Sequence, residues 1–164
     1  RRGAREPGER GGGDRGGRDP AGPGPAEQGP VMPGPVVHGL LVCRNATAGG
    51  EGRLNLEGVL EVVAVDRLPG DAGPLTFVAF VRNLPPGKGA CTFVIRPADR
   101  PEAVAARYPM QFELPETFQG RQVALQVQVT SIPVKRGGWY DVILEWSGRA
   151  IAVNRFAIGV RHAE

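Results

Sequence analysis

The chain has 164 residues, 41% of them hydrophobic and 23% charged, with a formal charge of +3, which fits one domain or one domain with a tail. No apolar run approaches the ~20 residues that span a bilayer as a helix, and two cysteines are too few for a disulfide framework. Residues 1–30 carry six Arg against five acids, so most of the small positive excess belongs to the rest of the chain, too little for a nucleic-acid backbone footprint.

The composition breaks near Pro35. The stretch before it, opening RRGAREPGERGGGDRGG, contains no aromatic residue and almost nothing to bury. Residues 1–35 are therefore expected to be a disordered Gly/Pro/Arg-rich tail, with too little apolar surface to offset its ordering entropy. Arg15-Gly16-Gly17-Arg18 has the look of a single-strand RNA binder, but Glu6, Glu9, Asp14 and Asp19 offset the arginines, and no nucleic-acid partner is expected. Met32, just ahead of the first apolar segment, is the expected natural start. No secretory signal is evident, so a cytoplasmic protein with reduced thiols is expected. The richness in Gly, Ala, Arg and Pro suggests a high-GC, bacterial genome.

From Val36 onward apolar residues recur with a period of two, the signature of strands. Val36–Arg44 reads as a first strand, apolar on both faces. In Arg53–Val65, Leu54, Leu56, Leu60, Val62 and Ala64 point one way, with a bulge or bend expected at Gly58. Leu75–Asn83 and Ala90–Arg96 come next. Ala103–Glu113 reads as an edge strand broken by Pro109, and as the candidate route to a dimer. Gln122–Ser131 sets Val123, Leu125, Val127 and Val129 against Gln122, Gln126, Gln128 and Thr130. Tyr140–Trp146 puts Tyr140, Val142, Leu144 and Trp146 toward a core, with Asp141 and Glu145 outward. Ser147-Gly148 is a two-residue hairpin turn from which Arg149–Val160 returns.

Glycines and prolines punctuate the connections, at Pro69-Gly70, Gly73-Pro74, Pro85-Pro86-Gly87 and Gly137-Gly138. About eight short strands over residues 36–161 describe an all-β, antiparallel β-sandwich, immunoglobulin-like in layout. Tyr140, after its paired glycines, is a candidate corner tyrosine. The order LLVC (Leu40–Cys43), GRLNLEGVLEVV (Gly52–Val63), GACTFVIRPADR (Gly89–Arg100) and GGWYDVILEWSG (Gly137–Gly148) resembles an uncharacterised bacterial family of small single-domain proteins, a domain of unknown function. That resemblance implies a β-sandwich that begins near its first strand. It implies no activity, cofactor or catalytic residue, and gives no reason for the tail.

No pattern here carries catalysis. Cys43 and His38 are an odd number of residues apart in one strand, on opposite faces if that strand is regular. Cys43 and Cys91 read as buried small hydrophobes. His162 stands alone near the C-terminus, and no CxxC or HxxxH spacing marks a metal site. Asp66, Asp71 and Asp99 lie in separate loops as solvated turn acids, with calcium the competing reading. Asn45-Ala46-Thr47 matches a glycosylation acceptor, relevant only in a secretory protein.

Trp139 is the opening for function. It shares the parity of Asp141 and Glu145, with Lys135 and Arg136 nearby. It either caps the open end of the sandwich or lies exposed, to anchor a protein partner or stack on a sugar. The expectation is a non-enzymatic module without metal or cofactor that binds a protein partner, with Trp139, Lys135 and Arg136 as contacts. A glycan or small-ligand site on Trp139 is the alternative, and a metal-dependent hydrolase the more remote one.

Overall fold

The computed structural model describes residues 33–161. Most of the expected tail, the Met32 start and His162 lie outside them. Eleven strands occur among the described residues: β1 (Val36–Ala48), β2 (Leu54–Val59), β3 (Val62–Val65), β4 (Gly70–Ala72), β5 (Leu75–Arg82), β6 (Gly87–Pro97), β7 (Ala106–Leu114), β8 (Val123–Val129), β9 (Ile132–Val134), β10 (Gly138–Trp146) and β11 (Arg149–Val160). They form a four-stranded sheet ordered β2-β1-β5-β8, a five-stranded sheet ordered β3-β11-β10-β6-β7, and a small β4-β9 pair. Every pairing is antiparallel except that of β3 with β11.

The two larger sheets bury one core between them, an antiparallel β-sandwich. Alternation along β1, β5 and β8 supplies Val42, Phe77 and Leu125 from one side, while Phe93, Val142 and Phe156 come from β6, β10 and β11. Phe77 is the centre of an aromatic cluster. Its ring centroid lies 6.2 Å from Phe93, 6.3 Å from Tyr108 and 6.4 Å from Phe156, so one β5 side chain meets three strands of the other sheet.

Three expectations are modified. The segment Arg53–Val65 is two strands in different sheets. Gly58 does take a left-handed backbone, with φ +60°, but the chain changes sheet two residues later. The Leu60 N–H still donates to Val42 of β1, and the Glu61 carbonyl already accepts from Ala157 of β11. Pro109 does not break β7, which pairs with β6 without interruption from Leu114 to Ala106; an edge strand tolerates Pro where its nitrogen faces solvent. Trp146 is half-buried rather than deep in the core, stacked on Phe112 at 5.8 Å.

Other local readings agree with the structure. Ser147 and Gly148 both have positive φ, 50° and 73°, as a type I′ hairpin turn requires. β1 has a register irregularity between Val37 and Gly39, so the strict alternation assumed for His38 and Cys43 does not hold there. His38 is nevertheless exposed and Cys43 buried, about 16 Å apart along the strand.

Cys43 and Cys91 are free, buried thiols. Burial pushes Cys43 up and Cys91 up to about 11 from an ordinary 9.0. Both should therefore resist a thiol reagent until the protein is denatured. A group raised in the folded state destabilises it once the unfolded chain can ionise. Thermal melts should be unaffected by these thiols below pH 9.0 and fall in midpoint as pH rises toward about 11. Flat melts across that interval, or rapid native labelling, would contradict the burial.

Candidate functional site

The site is a cleft of about 720 Å³ beside the start of β10. One wall is the β6–β7 connection, shaped by its own backbone hydrogen bonds. Arg100 N–H donates to the Pro97 carbonyl, Ala103 to Arg100, and Ala105 to Ile95, at 3.2, 2.9 and 2.8 Å. Pro and Ala leave this loop few side-chain bonds to make, so the main chain supplies its rigidity. The Ala98 N–H, donating to the Trp139 carbonyl at 2.9 Å, joins the wall to β10.

Pro133 and the turn from Lys135 to Gly138 also line the cleft. Here Tyr140, buried at 3% exposure, donates its hydroxyl to the Arg136 carbonyl at 2.7 Å. The bond ties the start of β10 back to the turn four residues upstream. Burial pushes the Tyr140 phenol up, and the negative charge of Asp99 adds to it. Tyr140→Phe should cost about 1 kcal/mol, the net worth of one intramolecular hydrogen bond. A denaturant midpoint equal to wild type would show that the bond is dispensable.

Trp139 is not a cap. It is 58% exposed and lines the cleft together with Lys135 and Arg136, so the structure brings all three expected residues to one place. The same cleft is lined by apolar Pro97, Ala98 and Val104, and by four basic residues, Arg100, Lys135, Arg136 and Arg155, against a single acid, Asp99.

The residue sequence reasoning placed wrongly is Asp141. It lies on the outward parity of β10, yet is only 5% exposed. Arg155 of β11 stands opposite it and Arg96 of β6 on its other side. Arg155 Nε–H donates to Asp141 Oδ1 at 2.8 Å, and Arg96 Nε lies 3.9 Å from Oδ2. The long stems of the flanking arginines shield a short carboxylate. Asp141 raises the Arg155 guanidinium above its ordinary range, through the hydrogen bond first and then its charge. The register also sets Trp139 opposite Ala157, two residues from Arg155. Arg155 and Trp139 are thus diagonal neighbours on one face, about 7 Å apart. With Nε donating to Asp141, Arg155 still presents an exposed guanidinium on this face.

No protein-family model matches this chain, and no curated protein matches it in sequence.

The cleft lining contains no Ser, Thr, Cys or His. Among the described residues, no group of three or more His, Cys, Asp or Glu side chains is placed to hold a metal ion. Asp71 accepts a hydrogen bond from Ser131 at 2.7 Å, and Asp99 lies in the cleft. No described helix is long and apolar enough to cross a membrane.

Proposed function

We propose that this protein is a non-enzymatic binding module that docks a segment of a protein partner in the Trp139 cleft. The segment would carry an apolar side chain for the indole and a carboxylate beside it for Arg155. The observation behind this is the pairing on one sheet face of an indole 58% exposed with a guanidinium held by buried Asp141. An exposed tryptophan in a concave, apolar site is the usual anchor of a binding hot spot, and arginine is the other residue most enriched there.

The charge of the lining favours a peptide over a neutral sugar. Four cations against one acid offer little to a ligand that lacks charge, whereas an acidic segment gains from them in encounter rate and orientation. The parallel β3–β11 pairing, the order of β11, β10, β6 and β7, and the Tyr140 corner support an immunoglobulin-like layout. Within the same proposal stand membership of the bacterial single-domain family that the strand motifs resemble, and a cytoplasmic location, which two free buried thiols suit.

Selection from a random peptide library against the full chain tests the reading. Enriched peptides should share an apolar or aromatic residue within a few positions of Asp or Glu, and should bind more weakly as salt is raised. Enrichment of basic or uncharged sequences would reject it.

A further inference from the structure

Beyond the cleft, we infer that β8 is the edge through which two copies of this chain pair. Among the described residues the two larger sheets have four edge strands, and an edge strand offers backbone N–H and C=O groups that can take another strand. Three carry the usual protections. β3 has four residues; β2 has Glu57 and a left-handed Gly58; β7 has Pro109 at its centre.

β8 has none of them. Its seven residues, VALQVQV, include no charge, proline or glycine, and its register with β5 runs without a shift from Val129 to Val123. On its core-facing side Leu125 and Val129 are buried, while Val123 and Val127 are only half-buried, so apolar surface is left open along this edge.

The strand is complementary to itself. In an antiparallel pairing about a two-fold axis at Gln126, all seven residues overlap. On the core side Val123 then faces Val129 of the second copy, and Leu125 faces Val127. On the solvent side Gln126 meets Gln126, a pair of amides that can bond to each other. No like charges meet, and a slip of one residue would set Leu125 against glutamine. The two four-stranded sheets would continue as one, through an isologous interface.

Sedimentation velocity of the full chain over a range of concentrations tests this. A reversible monomer–dimer equilibrium is expected. Gln126→Lys, an exposed position that sets two ammonium groups together, should weaken it about tenfold or more. Gln111→Lys, exposed on the β7 edge, should leave it unchanged. A monomer at every concentration would overturn the inference, as would a dimer indifferent to Gln126→Lys or weakened equally by both changes. Thermal melts of both variants at the wild-type midpoint would show that the fold is intact.

Discussion

Phe77→Ala is expected to destabilise the domain by about 3–5 kcal/mol, the range for deleting a buried aromatic ring. Phe77 is fully buried, and its ring contacts Phe93, Phe156 and Tyr108. Its removal empties the place where β5 meets β6, β7 and β11 at once. Strands are anchored on all sides by their ladders, so little collapse into the space is possible. Against a typical total of about 5–15 kcal/mol, such a loss leaves a domain near its threshold. The thermal midpoint should fall by roughly 10–20 °C. Phe77→Leu, which keeps most of the volume, should lose less than half as much. Equal losses for both would mean that aromatic contacts rather than filled volume dominate.

Trp139→Ala is expected to act in the opposite way, sparing the fold and removing the interaction. The side chain is 58% exposed, so stability should change by no more than about 0.5 kcal/mol. Binding of an acidic, apolar peptide should weaken by roughly 30-fold or more, the loss of about 2 kcal/mol typical of a tryptophan anchor. Asp141→Asn separates positioning from contact. Asparagine keeps the shape but gives up the charged acceptor that holds Arg155 Nε, so affinity for the acidic peptide should fall even though the site gains positive charge. An Arg155→Ala variant should then gain nothing further from the Asp141 change.

Some strands were legible because one-sided burial imposes alternation. β8 is of this kind; β5 and β10, buried on both faces over most of their length, were legible instead as short apolar runs bounded by turn residues. The passage from β2 to β3 was not, because apolar parity continues across Leu60 and Glu61 while hydrogen-bond partners change from β1 to β11. The three-residue β4 and β9 strands are too short to show a period; they pair with each other and bury Ala72, Ile132 and Val134.

At the site, Trp139, Lys135 and Arg136 stood out because a tryptophan beside two cations and paired glycines is conspicuous in one short stretch. Arg100 and Val104 were hidden, since nothing local tells which end of the sheet a loop will wall. Asp141 and Arg155 were hidden for another reason. Their partnership is a matter of register, which follows from the hairpin only after the bulge between Leu144 and Glu145 is known.

The most direct measurement is a chemical-shift map of the full chain titrated with a library-selected acidic peptide. The largest shifts should fall on the Trp139 indole N–H, the Arg155 guanidinium, and backbone amides of 98–100, 102–105 and 135–139. Shifts centred on β2 or on the outward side of the four-stranded sheet, with the Trp139 indole unmoved, would contradict the account.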